Sequence, residues 1–232
     1  MKRVLEPELM EDENQVKAYA EADFDSPHSQ FITRLNHFIN SVQFGGVALD
    51  LGCGPGDISC RFARAYPMSK IHAVDGSEAM IYTARQQTPD DVNRRIRFIL
   101  GMLPDVMLPQ LSYELIFSNS LLHHLHDPQA LWQVIKKYSE PGTHIVVMDL
   151  IRPESIESAQ ALVNKYAGNE PEILQHDFYN SLLAAFTLPE IKQQLRQAGL
   201  DLDVEQISDR HVFISGVIPG AYFNKWTQDV SR

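Results

Sequence analysis

The chain has 232 residues, with 20 Lys plus Arg against 30 Asp plus Glu for a formal net charge of −10; 44% of it is hydrophobic and 22% charged. That is the mixture of a globular α/β protein, neither disordered nor fibrous, and its acidic balance repels polyphosphate backbones, so nucleic acid is not an expected partner. Apolar runs such as Ile145-Val146-Val147-Met148 stop well short of the roughly 18 residues of a membrane-spanning helix, and the acidic start (Glu6, Glu8, Glu11, Asp12, Glu13) is no secretory signal, which predicts a cytoplasmic protein without a membrane partner.

In chain order, residues 1–44 carry helical patterns ahead of any strand and are expected to lie outside the sheet, with Tyr19 placed to close over a ligand. The apolar strand Val47–Leu51 runs into Gly52-Cys53-Gly54-Pro55-Gly56-Asp57, after which Ile58, Phe62 and Ala65 repeat at helical spacing until Pro67. Cys53 and Cys60 share this one segment and are expected to be reduced thiols. Further β-rich runs at 71–75, 96–100, 114–118 and 144–149 alternate with helical patterns, which implies parallel strands, right-handed crossovers and a doubly wound sheet. Asp127-Pro128 opens a helix that Pro141-Gly142 closes. Residues 150–186 are a long excursion with helical spacing at Ala161, Leu162 and Tyr166 and again at Ile173, Leu174, Phe178 and Leu182. So long a connection is expected to be a lid over the carboxyl ends of the strands, where open α/β sheets bind ligands. Thr187-Leu188-Pro189-Glu190 is a capping box whose helix Gly199 terminates, and the runs 201–206 and 211–217 are joined by so short a turn that they must pair antiparallel.

The glycine loop is the most informative stretch, because glycine permits positive φ and lets a ligand touch the backbone. A dinucleotide fingerprint counted from Gly52 would need its third glycine at position 57, which is Asp57. A carboxylate there opposes a pyrophosphate on the helix N-terminus, and no Gly-Lys-Ser/Thr follows to make a P-loop. Asp50, at the strand's end, adds a second anion, and both suit a ligand carrying an ammonium or sulfonium. Asp75 stands 23 residues after Gly52, where a strand-terminal acid in such sheets accepts ribose hydroxyls. A ribose beside a cationic group points to S-adenosylmethionine.

These stretches resemble the class I S-adenosylmethionine-dependent methyltransferases, small-molecule branch. Asp50-Leu51-Gly52-Cys53-Gly54-Pro55-Gly56 looks like the family's first motif, and Val74-Asp75-Gly76-Ser77-Glu78-Ala79-Met80 like its ribose-binding turn. Residues 114–128 look like its fourth strand and following loop. The resemblance covers about residues 40–150 with specific motifs and the hairpin end in pattern only; together with the segments read above it suggests one methyltransferase domain over 1–232: a helical cap (1–44), a cofactor-binding core (45–149), a substrate lid (150–186), and a last helix with the antiparallel hairpin (187–232). The implied architecture is a Rossmann-like doubly wound seven-stranded sheet, ordered 3-2-1-4-5-7-6 with strand 7 antiparallel. The implied reaction moves a methyl group from S-adenosylmethionine to an O, N or C atom of a small-molecule acceptor, leaving S-adenosylhomocysteine; monomer and homodimer both stay open. The cofactor-binding set is Tyr19, Asp50, Gly52, Cys53, Gly54, Gly56, Asp75, Gly76, Ser77, Met80, Gly101, Met102, Leu103, Asn119 and Ser120. Many relatives follow the glycine after strand three with an Asp that reads adenine; here Met102 follows Gly101, so Met102 or Leu103 is expected against the ring.

Methyl transfer is an in-line displacement that the sulfonium itself activates, so the enzyme mainly positions the acceptor, and a base is needed only where the acceptor must lose a proton. His123 and His124 are the candidates for that base, ahead of His126, or else they serve only to bond backbone. No metal site is expected, since His123, His124 and Asp127 lack a second spaced ligand cluster. Asp149, Arg152, Tyr166, His176 and Tyr179 are candidates for substrate binding, with Arg152 either a bidentate clamp for a carboxylate or phosphate or a structural partner of Asp149. Two other functions stay open: an NAD-dependent oxidoreductase, and a non-catalytic regulatory module that binds S-adenosylmethionine. A base-flipping nucleic-acid enzyme would show Asn or Asp, Pro, Pro and an aromatic residue after strand four, which Asn119-Ser120-Leu121 lacks.

Overall fold

A computed structural model describes residues 1–40 and 43–220; residues 41–42 of the expected cap and the stretch 221–232, assigned on sequence to the hairpin unit, lie outside the described residues. Helices α1 (Glu13–Glu21) and α2 (Asp25–Ile39) precede β1 (Val47–Leu51), and α3 (Asp57–Ala65), β2 (Lys70–Asp75), α4 (Glu78–Gln87), the single turn α5 (Asp90–Asn93) and β3 (Ile96–Leu100) follow. The second half runs β4 (Leu115–Asn119), α6 (Gln129–Tyr138), β5 (His144–Leu150), α7 (Ile156–Tyr166), α8 (Glu172–Ala184), α9 (Leu188–Ala198), β6 (Asp203–Gln206) and β7 (His211–Val217). Among the described residues no helix is long and apolar enough to cross a membrane.

The strands form one sheet in the order β3-β2-β1-β4-β5-β7-β6, with β7 antiparallel between β5 and β6 and the other pairs parallel. This is the order that the resemblance implies. Strand β1 shows why the runs are so largely apolar: both of its faces meet helices, Ala48 packing into one core with Phe31, Phe62 and Phe117, Leu49 and Leu51 into the other with Trp132, Ile135 and Ile191. The helix punctuation holds at each expected place. Asp127 Oδ1 accepts from the Gln129 amide (2.9 Å) at the start of α6, Thr187 N donates to Glu190 Oε2 (2.7 Å) at the start of α9, and Gly199 ends α9 at φ +67°. Between β3 and β4 the chain makes no helix, because Pro104 and Pro109 remove backbone donors that a helix there would need. Both cysteines are free and buried.

The N-terminal segment ahead of α1 crosses the carboxyl ends of the strands and is tied down on both sides. Ser77 Oγ donates to the Met10 carbonyl (2.7 Å), Arg3 donates to the carbonyls of His123 (2.8 Å) and Leu125 (2.9 Å), and Val4 N donates to Leu183 O (3.0 Å) in α8. Helices α7 and α8 build a small third core on Ala159, Val163 and Leu182.

Candidate active site

The end of β1 is shaped by three glycines at positive φ: Gly52 (+74°), Gly54 (+52°) and Gly56 (+88°). Gly52 and Cys53 donate to the Val74 carbonyl at 2.8 and 2.9 Å, which pins the loop to β2. A Cβ on Gly52 would stand 2.8 Å from Leu121, whereas one on Gly54 would meet nothing within 4 Å. The open space beside Gly54 is a cavity of about 490 Å³ lined by Asp50, Gly52, Gly54, Asp75, Met80 and Leu103 among others. Asp75 closes its floor, with Oδ2 accepting from Gly54 N (2.8 Å) and Oδ1 from Ser77 N (2.9 Å). Burial raises the Asp75 pKa more than these backbone bonds lower it. Ser77 also caps α4 by accepting from Met80 N (3.1 Å), and Met102 lies over Gly76, its sulfur 2.6 Å from where a Cβ would sit. Gly101 N donates to the Asp75 carbonyl (2.9 Å) and Gly101, Met102 and Leu103 form the far wall.

The two anions expected at this loop are not free. Asp50 is buried and accepts from Ser59 Oγ (2.5 Å), and burial pushes its pKa up to about 7. Asp57 takes His28 Nδ1 and Arg61 Nε, each at 2.6 Å; burial works upward, but these partners outweigh it and hold the carboxyl below its usual range. Burial thus favours the protonated form of Asp50, while the charge of Asp57 is engaged by His28 and Arg61, so neither stands as the free anion that the sequence suggests.

A second cavity of about 820 Å³ adjoins the first and shares Tyr19, Asn119, Ser120 and His124 with it. The Tyr19 ring packs on Phe24 (4.8 Å between centroids), and burial, then the nearby Asp75, Asp57 and Asp149, push its hydroxyl up to about 12. Asn119 is buried with Oδ1 lacking a hydrogen-bond partner, and Ser120 holds φ +56°, an uncommon conformation for a non-glycine residue. His123 is buried at the cavity wall, its Nδ1 2.6 Å from Asp149 Oδ1. Asp149 also accepts from the amides of Leu122 and Leu150, each at 2.7 Å, so it holds the histidine and does not reach either cavity as a substrate contact. Burial alone would lower the His123 pKa and raise that of Asp149; their mutual attraction outweighs it, leaving His123 raised and Asp149 lowered. His124 is different, driven down to about 3 by burial and by His123.

The other expected substrate contacts divide. Tyr166 and His176 line the second cavity, Tyr166 donating to Asp209 (2.8 Å to Oδ2) with the Arg210 guanidinium 3.3 Å above its ring. Arg152 is corrected: it is buried, pairs with Glu190 Oε1 (2.7 Å) and the Ala185 carbonyl (3.0 Å), and lines neither cavity. Its guanidinium is drawn to the Glu190 carboxylate already fixed by the α9 capping box, not to Asp149. Tyr179 packs against the third core and likewise misses both cavities. Glu6 was not foreseen. Its Oε1 lies 3.3 Å from His124 Nδ1 and 3.7 Å from His123 Nε2, and burial raises its pKa. No local pattern marks it, since it stands 117 residues before His123.

Similarity to known proteins agrees with this geometry. The profile of a family described as "Methyltransferase domain" matches residues 44–199. Trans-aconitate 2-methyltransferase of Shigella flexneri serotype 5b is 25% identical over 197 residues, covering 79% of this chain and 69% of the relative. Malonyl-[acyl-carrier protein] O-methyltransferase 1 of Ilyobacter polytropus is 34% identical over 112 residues, covering 48% of this chain and 41%, less than half, of that relative. A SAM-dependent methyltransferase from Aquifex aeolicus superposes with a TM-score of 0.66 at 16% identity, covering 90% of this chain and all of that one. The chain therefore belongs to the methyltransferase-domain family, and its fold is that of the class I S-adenosylmethionine-dependent methyltransferases.

Proposed function

We propose that the protein transfers a methyl group from S-adenosylmethionine, bound in the first cavity, to an O, N or C atom of a small molecule held in the second. The observation that carries this reading is the junction of the two cavities at Tyr19, Asn119, Ser120 and His124, one built on Gly54 and Asp75, the other on His123. The residues present fit the cofactor. An ionised carboxylate has about four lone-pair sites, so Asp75 keeps acceptors for a ribose diol beyond those given to Gly54 and Ser77. The unpartnered Asn119 Oδ1 offers an acceptor to an ammonium, Gly54 leaves room for ligand atoms, and Met102 with Leu103 supplies apolar surface for adenine. Bound S-adenosylmethionine brings the activated methyl group; the chain supplies position, an effect of roughly 7 to 11 kcal/mol in favourable cases.

On the acceptor side, the carboxylate of Asp149 keeps the proton on His123 Nδ1 and leaves the Nε2 lone pair directed towards Glu6. We assign acceptor activation to His123. His124, whose pKa of about 3 makes it a weak base near neutrality, is assigned to placing the acceptor. Glu6, Glu11, Asp12, Glu170 and Asp177 outnumber Arg210 around the second cavity, which favours a neutral or cationic acceptor over a polycarboxylate such as trans-aconitate. The cap at 1–44 and the lid at 150–186 close over that side in this reading. Incubation with S-adenosylmethionine and metabolite pools should yield S-adenosylhomocysteine and an acceptor heavier by one CH2 group. Heat on titration with NAD and none with S-adenosylmethionine would make the protein an oxidoreductase; binding without turnover on any pool would make it a regulatory module.

A further inference from the structure

Glu6, His123 and His124 bring three potential ligand atoms within 4.8 Å of one another, on the wall of the second cavity. Glu6 Oε1 and His124 Nδ1 are both shielded from solvent, and although they lie 3.3 Å apart neither has a hydrogen-bond partner. The Glu6 side chain is only 9% exposed. Buried polar groups left without partners are costly, so their convergence calls for a ligand that both can bind. Metal–ligand bonds of about 2.0–2.1 Å at a tetrahedral angle hold ligand atoms roughly 3.3 Å apart. The observed separations from Glu6 Oε1, 3.3 Å to His124 Nδ1 and 3.7 Å to His123 Nε2, are of that size.

The tautomers are also set for a cation. Asp149 holds the Nδ1 proton of His123 at 2.6 Å and frees Nε2, the carboxylate–histidine arrangement that orients metal ligands. The His124 ring has a backbone hydrogen bond with Pro7, which can offer only its carbonyl; with Nδ1 unpartnered, the donor is Nε2 and the Nδ1 lone pair stays free. We propose that Glu6 Oε1, His123 Nε2 and His124 Nδ1 bind one divalent first-row transition metal ion, with its remaining position open to the acceptor cavity. Two imidazoles and one carboxylate favour zinc, iron or cobalt over magnesium or calcium, which prefer all-oxygen sites. An oxygen or nitrogen atom of the acceptor reaching the open position would be fixed beside the methyl donor. The spacing of His123, His124 and Asp127 alone predicts no metal; the third ligand comes from the N-terminal segment. This inference goes beyond the proposed function: an ion on Nε2 would take over from His123 the acceptor activation assigned above, whereas cofactor binding in the first cavity does not depend on it.

The test is titration of the chelator-treated full chain with Co2+, read by visible absorption, with S-adenosylhomocysteine binding measured on the same samples. One Co2+ per chain with the intense bands of a four- or five-coordinate site is expected. Glu6→Gln and His124→Ala should each weaken binding at least tenfold, and the surface substitution His37→Ala should leave it unchanged. A spectrum identical to aqueous Co2+, or full affinity in both Glu6→Gln and His124→Ala, overturns the site. Lost Co2+ binding with intact S-adenosylhomocysteine binding rejects the metal site alone; the converse rejects the cofactor assignment and leaves the metal site standing.

Discussion

Substitution of Gly54 by Ala separates what the glycine loop does for the fold from what it does for a ligand. Gly54 has φ +52°, and a left-handed conformation costs an L-residue about 1–2 kcal/mol. A new Cβ meets nothing within 4 Å, so no packing penalty joins that strain. For a chain of this size each kcal/mol shifts Tm by roughly 2–4 °C, which places the expected fall at roughly 2–8 °C. The same methyl group projects into the cavity of about 490 Å³. Overpacking by one methyl typically costs about 1–3 kcal/mol, or roughly 5- to 150-fold in Kd. Calorimetric titration with S-adenosylhomocysteine, alongside thermal melts of the free protein, reads both quantities. Gly52→Ala is the contrast: its Cβ would lie 2.8 Å from Leu121, so the free protein itself should suffer more. Wild-type affinity in Gly54→Ala, with Tm lowered as expected, would refute the placement of a ligand against this loop.

Three further outcomes follow from the same structure. Asp75→Ala removes the acceptor for the Gly54 and Ser77 amides and for the ribose diol, and should weaken S-adenosylhomocysteine binding by about 1.5–3 kcal/mol per lost charged hydrogen bond; unchanged Kd would exclude a ribose there. Asp50, raised from 3.8 to about 7 by burial, holds its proton more tightly folded than unfolded. Its contribution to stability is therefore complete below about pH 4 and is lost as pH rises through about 7, on the order of a few kcal/mol. Urea unfolding across that range should show Asp50→Asn gaining on the wild type as pH rises, and parallel profiles would contradict the burial of a carboxyl there. Arg152→Ala should leave the Ala185 carbonyl unpaired and lower stability by about 1–3 kcal/mol, with acceptor KM unchanged; a raised KM at unchanged Tm would restore the clamp role.

The sheet was legible because its signals are local. Apolar runs ending in glycine or an acid mark β1 and β2, Thr187 to Glu190 marks the start of α9, and the short 206–211 connection forces β6 and β7 antiparallel. Side-chain partners formed across long sequence separations left no such mark. Arg152 looked available for a substrate because Glu190, 38 residues on, gives no periodic hint that its second carboxylate oxygen is aimed backwards. The charge of Asp50 was readable, but its pairing with Ser59 and the desolvation that goes with it depend on how α3 packs beneath the loop. Glu6 was hidden most fully: its place beside His123 and His124 follows from the path of the N-terminal segment, fixed by contacts such as Ser77 with Met10 and Arg3 with His123.

A crystal structure of the protein grown with S-adenosylhomocysteine tests the central claim most directly. The account predicts both ribose hydroxyls on the Asp75 carboxylate, the ligand backbone passing over Gly54, and the sulfur at the junction where Asn119 and His124 border both cavities. Density for the ligand elsewhere, or ribose hydroxyls turned away from Asp75, would contradict it.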